Sequence, residues 1–286
     1  MFPPCKIIDF SDQFTNLTNN KYHIRRTIKK VEEIDVIISR EIGTFYLAYL
    51  PHIGVYLMQI IGSHPLCLEV NFIEEGNACY SKRMQAKNGF FKNSIKFFIS
   101  KLFFPSKRFW LTNLLFKDFY RILNINCTYG ISKKTFEFLP YRKKIIQWQN
   151  FGLNFEINEK FPIFIFDALI EMNFIEPQLY WAAVKQMIGE TAFECNYIKF
   201  HPYQSTENKN LIKRQFEMQK SSYIELDQNV IVEDIIVNKE YLTFNGFSSS
   251  ILLYAKIYNH SVKSFEELLL SDKKYRSFRK LYDFQI

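Results

Sequence analysis

Three short motifs carry side chains that could do acid–base and anion-binding chemistry: Glu74-Glu75-Gly76, His201-Pro202 and Ser248-Ser249-Ser250. A carboxylate can accept a proton, an imidazole can donate one near neutral pH, and hydroxyls at a helix start can bind an anion. A transferase needs these groups to activate a hydroxyl acceptor and to hold a phosphate-bearing leaving group. Each motif is weak alone, so the prediction depends on their order, flanks and spacing.

The acidic motif follows the apolar residues Phe72-Ile73, at the end of a predicted strand. Two adjacent carboxylates at a strand end project to opposite faces, so one can face a ligand while the other bonds to backbone or solvent. Gly76 allows the chain to turn sharply. Either Glu74 or Glu75 could then be a general base for a sugar hydroxyl, and the alternative is an ordinary acidic turn.

The histidine motif follows the strand-like run Tyr197 to Phe200. His201 could donate a proton or a hydrogen bond to a phosphate oxygen, Pro202 fixes the backbone direction, and Lys199 adds a nearby cation. The alternative is a structural histidine at a strand end. A second pair, His64-Pro65, follows no strand and has no lysine two residues earlier, so it is predicted to be a turn.

The serine run lies between Gly246-Phe247 and an apolar helical segment, where a helix N-cap is expected. Free backbone N–H groups and the helix dipole attract anions at such a position. Capping alone needs one serine, so the others could add donors. Glu233 lies fifteen residues before Ser248 and could accept two hydrogen bonds from a ribose diol. The alternative for Glu233 is an exposed acid at a helix start.

The elements that must position these motifs are predicted from apolar runs and periodicity. In the first half, strands are expected at Lys6 to Phe10, Ile34 to Ile38 and Leu66 to Ile73, with a largely helical stretch from Phe45 to Ile61. In the second half, strands are expected at Ile163 to Phe166, Cys195 to Phe200, Ser222 to Leu226 and Tyr241 to Phe244, and helices at Gln178 to Ile188, about Glu207 to Lys220, and from near Ser248.

This alternation predicts an α/β protein with two doubly wound, Rossmann-like parallel sheets. Polar residues between Gln147 and Lys160 place the boundary there, giving domains of residues 1–155 and 156–286. Ligands in such folds bind beyond the carboxyl ends of the strands. All three motifs fall at such ends, so we expect one site in a cleft between the halves.

Composition excludes several other classes. With 286 residues, 48% hydrophobic and 17% aromatic, the chain is predicted to fold around a sizeable core and not to be disordered. Its five cysteines show no metal-binding or disulfide spacing, which favours a reducing cytoplasm. No signal peptide and no apolar run of about 18 residues is found, so a cytoplasmic or peripheral membrane protein is expected.

The positive charge is concentrated in residues 82–121, which hold ten basic residues and one acid, a net charge of +9, against +8 for the whole chain. Aromatic residues are interleaved with these lysines and arginines. Such a segment could lie on an anionic membrane surface. The alternatives are a solvated face over a packed core and a nucleic-acid surface, and nucleic acid is not the expected partner.

The combined motifs resemble those of the bacterial sialyltransferases of the GT-B fold, which include lipooligosaccharide and capsule sialyltransferases and polysialyltransferases. The resemblance spans residues of about 70 to 255. It is carried by Phe72-Ile73-Glu74-Glu75-Gly76 with Tyr80 just beyond, by Lys199-Phe200-His201-Pro202, and by Gly246-Phe247-Ser248-Ser249-Ser250.

The resemblance implies an inverting transferase that uses CMP-sialic acid and needs neither a metal ion nor a cofactor. Residues 1–155 would be the acceptor-side domain and residues 156–286 the CMP-binding domain. Glu74 would be the general base, with Glu75 as the alternative, and His201 the general acid or electrostatic stabiliser. Two of the three serines would hold the donor's phosphate, and Glu233 would bind its ribose.

The expected partners are therefore a nucleotide-sugar donor and a glycan acceptor such as lipooligosaccharide or capsule, reached at the inner face of the bacterial cytoplasmic membrane. Two alternatives stay open. One is a transferase for another CMP-activated sugar such as CMP-Kdo, and the other is a non-catalytic basic module for membranes or nucleic acid. The sequence leaves the linkage, the acceptor, polymerisation and homodimer formation undetermined.

Overall fold

A computed structural model of the chain describes residues 24–51, 56–80, 102, 124–137, 139–148 and 155–280. Helices and two parallel sheets, one of four strands and one of five, make up this part of the chain. The predicted α/β class is confirmed. The chain divides into two compact units, one of Met1–Glu75 with Lys82–Ile146 and one of Gly76–Ser81 with Gln147–Ile286.

The first unit contains a parallel sheet in the order β1-β2-β3-β4. The predicted strand from Leu66 to Ile73 is confirmed as β2, whereas the one at Lys6 to Phe10 lies outside the described residues. Its elements, in chain order, are α1 (Ile24–Ile42), β1 (Tyr46–Leu50), α2 (Tyr56–Ser63), β2 (Cys67–Ile73), β3 (Ile125–Gly130) and β4 (Arg142–Ile145).

The predicted strand at Ile34 to Ile38 is wrong, because these residues lie within helix α1. Ile34 and Ile38 are buried, whereas Val36 between them is 60% exposed. A strand would have placed all three on one face, while residues four apart share one face of a helix. The run of β-branched residues favoured a strand, but burial on one helix face determined the outcome.

The predicted helical stretch from Phe45 to Ile61 is correct only in its second part, which contains α2. Its first part is β1, where Ala48 and Leu50 are buried and Leu47 and Tyr49 are about half exposed. That alternation has the period of two typical of a strand with one buried face. The strand pairs in parallel with β2.

The second unit contains a parallel sheet in the order β7-β6-β5-β8-β9. The strands predicted at Ile163 to Phe166, Cys195 to Phe200 and Ser222 to Leu226 are confirmed, as are the helices predicted in this half. Its elements are β5 (Ile163–Phe166), α3 (Pro177–Thr191), β6 (Cys195–Phe200), α4 (Thr206–Met218), β7 (Ser222–Glu225), α5 (Val232–Asn238), β8 (Thr243–Gly246), α6 (Ser250–Ile257), β9 (Ser261–Ser264) and α7 (Lys273–Arg279).

Numbered from its first strand, this order is 3-2-1-4-5, the order of a Rossmann-like sheet. The direction of winding reverses between β5 and β8, which are paired. Ligands bind at this switch point in doubly wound folds. All four residues of β5 are buried, so the switch point is held by the most enclosed strand of the unit.

Aromatic residues fill the core of the second unit. Phe164 packs edge-to-face on Phe216 of α4, with ring centroids 5.0 Å apart, and Phe166 packs on Phe200 of β6. Gly246 ends β8 where a Cβ would lie 2.8 Å from the carbonyl oxygen of Ile165, so a larger residue would separate β8 from β5. The core thereby fixes the ends of β5, β6 and β8 against one another.

Candidate active site

Glu74 directly follows β2, and its carboxylate is held within the first unit. Oε2 accepts hydrogen bonds from the backbone N–H of Ile131 at 2.8 Å and from the hydroxyl of Thr135 at 2.7 Å. The backbone N–H of Glu74 donates to the carbonyl of Tyr129 at 2.9 Å. Two donors on one oxygen fix the orientation of the carboxylate. Glu75, by contrast, is exposed.

Thr135 is buried and lies against Gly130, the last residue of β3. A Cβ at position 130 would lie 2.5 Å from the Cβ of Thr135, a distance that non-bonded carbons do not tolerate. The absent side chain at Gly130 therefore makes room for the donor to Glu74. Neither residue is predicted from the sequence, because neither belongs to a motif and Thr135 is 61 positions from Glu74.

Gly76 is counted with the second unit and has a φ of +58°, a conformation that glycine favours and that a sharp turn requires. Its backbone N–H donates to the hydroxyl of Tyr254 at 2.9 Å, and a Cβ at this position would lie 3.7 Å from Oγ of Ser250. Both residues belong to α6. The glycine of the acidic motif is therefore fixed to the helix that the serine run begins.

His201 follows β6, and its backbone N–H continues the pairing with β5 by donating to Phe166 at 3.0 Å. Its Nδ1 accepts the backbone N–H of Tyr203 at 3.1 Å. The neutral ring therefore carries its proton on Nε2. Burial lowers the pKa of His201, and the nearby carboxylate of Glu171 opposes that shift. Pro202 is exposed beside it.

His64-Pro65 forms a turn, as predicted, and uses the same local bond. Nδ1 of His64 accepts the backbone N–H of Leu66 at 3.1 Å. His64 is buried, however, and its Nε2 lies 3.2 Å from Ser39 Oγ and 3.5 Å from a carboxylate oxygen of Asp35. Both ring nitrogens therefore have partners within the first unit, as is typical of a structural histidine.

Lys199 is buried, and its ammonium group is directed at backbone carbonyls. Nζ donates to Asp227 at 2.6 Å, to Val230 at 2.8 Å and to Gln228 at 3.2 Å. Burial lowers the pKa of Lys199, and the carboxylates of Asp227 and Glu233 oppose the shift. The lysine therefore holds the loop 227–230, which leads from β7 to α5.

Glu233 lies in the first turn of α5 and is half-buried. Its charge acts on Lys199, so the lysine connects the strand before His201 with the helix that carries Glu233. A carboxylate in a first helical turn is favoured by the helix dipole. Glu233 therefore lies at the beginning of a short helix, close enough for its charge to act on Lys199.

The serine run forms the turn between β8 and α6, and we call residues 248–250 the serine turn. Ser249 is the N-cap, and its Oγ accepts the backbone N–H of Ile251 at 3.4 Å. Ser248 is buried and its side chain is hydrogen-bonded to Tyr275 of α7. Ser250 is the first helical residue. The three serines therefore occupy three different positions and are not interchangeable.

Asp167 directly follows β5 and was missed by the sequence analysis. It accepts hydrogen bonds from the backbone N–H of Ser248 and from the side chain of Ser249. Among the described residues, its Oδ2 is a buried atom without a hydrogen-bond partner. Burial, reinforced by Glu266, raises the pKa of Asp167 to about 6. The signal in the sequence was a single acid after the apolar run Ile163 to Phe166.

The three central strands of the second sheet therefore end in polar groups. Asp167 follows β5, His201 follows β6 and Ser248 begins the turn after β8. Since all three strands are parallel, these groups lie at the same edge of the sheet. Asp167 and the serine turn flank the switch point, where this fold binds nucleotides.

The described residues also bear on metal binding, disulfide formation and membrane insertion. In this part of the chain no group of three or more His, Cys, Asp or Glu side chains is arranged to hold a metal ion. Four thiols are free, at Cys67, Cys79, Cys127 and Cys195. None of the helices within the described ranges combines the length and apolar character needed to cross a bilayer. All ten basic residues of 82–121 lie outside the described residues.

Comparison with known proteins supplies independent evidence. A family model described as alpha-2,8-polysialyltransferase (POLYST) matches residues 6–265, a range that contains all three motifs. A search of curated proteins finds no match. The resemblance to bacterial sialyltransferases of the polysialyltransferase type is thereby confirmed. The chain belongs to the alpha-2,8-polysialyltransferase family and is a glycosyltransferase that transfers sialic acid.

Proposed function

We propose that this sialyltransferase moves sialic acid from CMP-sialic acid to a hydroxyl of a cell-surface glycan, with inversion and without a metal ion. Family membership gives the sialyl transfer. One observation carries the proposal for the donor. The serine turn lies at the switch point of a sheet ordered 3-2-1-4-5, and His201 directly follows β6, the strand on the other side of β5. That edge is where Rossmann-like sheets bind nucleotides.

Glu74 is the proposed general base. Transfer through an oxocarbenium-like transition state requires one proton to leave the acceptor hydroxyl as the sugar bond forms. The two donors on Oε2 of Glu74 hold the carboxylate in one orientation, which a base needs. Glu75 is exposed and stays the alternative.

His201 is the proposed hydrogen-bond donor to the departing phosphate. Its proton lies on Nε2, because Nδ1 is occupied by the N–H of Tyr203. Burial lowers its pKa, so the ring is neutral at pH 7 and offers that single N–H. A preorganised donor stabilises the negative charge that develops on the leaving group. Pro202 lies in the turn that follows.

The serine turn is the proposed phosphate site. Ser249 and Ser250, as N-cap and first helical residue, stand where helix N–H groups and the dipole attract an anion. We propose these two serines rather than Ser248, because the side chain of Ser248 interacts with the buried Tyr275. Glu233 is the proposed ribose ligand, and Lys199 holds the loop before it.

The proposal is tested by incubating the protein with CMP-sialic acid and a sialylated or galactose-terminated acceptor, and measuring released CMP. CMP release and a new glycosidic bond of inverted configuration by NMR are expected, unchanged by a chelator. Release from CMP-Kdo but not from CMP-sialic acid would contradict the proposed donor. Calorimetric titration with CMP should give binding that Ser249→Ala or His201→Ala weakens, and absence of CMP binding would overturn the proposed site.

A further inference from the structure

We infer that Asp167 is a positioning residue that controls the hydroxyl proton of Ser249, and that the donor's phosphate binds with uptake of one proton by Asp167. The inference rests on the proposed function, because it takes the serine turn as the phosphate site. It adds to that function a residue outside all three motifs and an uptake of one proton on binding, which can be measured.

The position of Asp167 is the first argument. It follows β5, the strand at which the sheet reverses its winding, and β5 pairs directly with β8. The carboxyl group accepts the backbone N–H of Ser248 and the hydroxyl proton of Ser249, so it fixes the turn after β8. Its Oδ2 is buried and has no hydrogen-bond partner among the described residues. A buried polar atom without a partner is costly, which is typical of a group that meets a ligand or a proton.

The hydroxyl of Ser249 is the second argument. A serine hydroxyl has one proton to donate. The carboxylate of Asp167 is the acceptor available to that proton, and the oxygen of Ser249 accepts the N–H of Ile251. The phosphate of a nucleotide sugar offers acceptors alone. While Asp167 is ionised, Ser249 therefore presents lone pairs and a nearby negative charge to an anion, which opposes binding.

Asp167 is also poised to take up a proton. Burial raises the pKa of Asp167 to about 6, and the charge of Glu266 adds to the effect, while the bonds from Ser248 and Ser249 oppose it. Two phenols, of Tyr180 in α3 and Tyr275 in α7, also face it, and burial raises the pKa of both. Both therefore stay neutral at any pH relevant here. Glu266 is itself paired with Arg279 and with the hydroxyl of Tyr275.

Binding of the phosphate supplies the further rise in the pKa of Asp167 that protonation at neutral pH requires. Its negative charge favours the neutral form of Asp167, so the pKa rises further and one proton is taken from solvent. Protonation at Oδ2 breaks no hydrogen bond that the described residues make. The neutral acid is a weaker acceptor than the carboxylate, so the Ser249 hydroxyl turns its proton to a phosphate oxygen. No covalent bond of the donor changes in this step.

The test is isothermal titration calorimetry with the methyl ester of CMP, whose phosphodiester does not itself titrate between pH 5 and 9. Titrations at pH 7 in two buffers of different ionisation enthalpy give the protons taken up per ligand. The wild-type protein should take up more than about half a proton, and its affinity should fall with rising pH. Asp167→Asn should take up close to none and lose the pH dependence. His201→Asn, the matched control, should bind more weakly but keep the uptake.

Three outcomes would overturn the inference while leaving the proposed function standing: no uptake by the wild type, uptake retained in Asp167→Asn, or uptake lost in His201→Asn. Failure of the wild type to bind either CMP or its methyl ester would overturn the proposed function, and this inference with it. If Asp167→Asn does not fold, carboxyl ¹³C NMR of the wild-type protein can follow the protonation of Asp167 directly. The Asp167 signal should titrate near pH 6 and shift to higher pH with ligand, and an unshifted titration would contradict the inference.

Discussion

The hydroxyl of Thr135 donates a hydrogen bond to Oε2 of Glu74 at 2.7 Å. Thr135 is fully buried, so this is a shielded, charge-assisted bond and contributes more than one at the surface. The carboxylate proposed as the base is thus positioned by a residue from the segment after β3. Its neighbour Glu75, adjacent in sequence, is exposed. This difference separates two acids that the sequence alone left equivalent.

Replacing the two glutamates singly should distinguish them. Glu74→Gln removes the proposed proton acceptor while keeping the shape, so kcat should fall about 10²- to 10⁴-fold with little change in CMP affinity. For Glu75→Gln, kcat should fall by less than about tenfold. Both expectations are checked by measuring the rate of transfer with CMP-sialic acid as donor and the affinity for CMP by calorimetry. A large loss for Glu75→Gln with an active Glu74→Gln would reverse the assignment.

The hydrogen bond from Thr135 to Glu74 can be tested by changing Gly130, against which Thr135 packs. Gly130→Ala would place a Cβ 2.5 Å from Thr135, so Thr135 must shift away from Glu74 and activity should fall at least about tenfold. Gly189→Ala in α3 is the control, since its nearest atom would be a glutamine side-chain nitrogen at 4.0 Å. Alanine is also the better helix former, so Gly189→Ala should be active and as stable or more stable. Equal activity of both variants would contradict the role of Gly130.

Two aspartates should respond to pH with opposite signs. Burial raises the pKa of Asp167 to about 6, so its ionised form costs stability above that pH and the cost vanishes near pH 4. Asp167→Asn should therefore raise the melting temperature at pH 8, and the gain should disappear by about pH 4. Thermal unfolding followed by circular dichroism across this range measures the difference.

Asp272 supplies the matched control. Burial would raise its pKa, but the backbone N–H groups of Glu176, Tyr275 and Lys274 outweigh that and lower it. Its stabilisation is present at neutral pH and is lost as the pH falls through its lowered pKa. Asp272→Asn should therefore lower the melting temperature at pH 8, by an amount that shrinks on acidification. A lower melting temperature for Asp167→Asn at pH 8 would contradict the raised pKa.

The parts of the fold that could be predicted from the sequence are those where burial leaves a continuous apolar run. Ile163 to Phe166 is covered on both faces, as parallel central strands are, and was predicted with correct bounds. The run at Ile34 to Ile38 is also rich in apolar residues, but only its first and last residues are buried, which a short run does not reveal. Local composition therefore predicts a strand in both places, and tertiary packing decides between them.

The candidate site likewise could be predicted from the sequence where local patterns determine it, and not where tertiary contacts do. Motif residues such as His201 and Ser249 lie at strand and helix ends, which the sequence indicates through changes in periodicity. The roles of Asp167 and Thr135 could not be predicted, because these roles depend on partners that the sheet brings near. Asp167 meets Ser249 across the paired strands β5 and β8, and Thr135 meets Glu74 after β3 returns beside β2. Contacts of this range are set by topology, and single-residue patterns do not encode them.

Lys199 offers the sharpest test of a residue whose role changed between sequence and structure. The sequence suggested a cation for the phosphate, whereas its Nζ donates to three backbone carbonyls of the loop before Glu233. Lys199→Met keeps the apolar stem and leaves these buried carbonyls without their donor, so CMP binding should weaken about tenfold or more while ribose-free methyl phosphate binding is unchanged. Lys185→Met, at an exposed position of α3, should leave both affinities as in the wild type. Calorimetry with CMP and with methyl phosphate measures both affinities. An equal loss of methyl phosphate binding would instead show that Lys199 binds the phosphate.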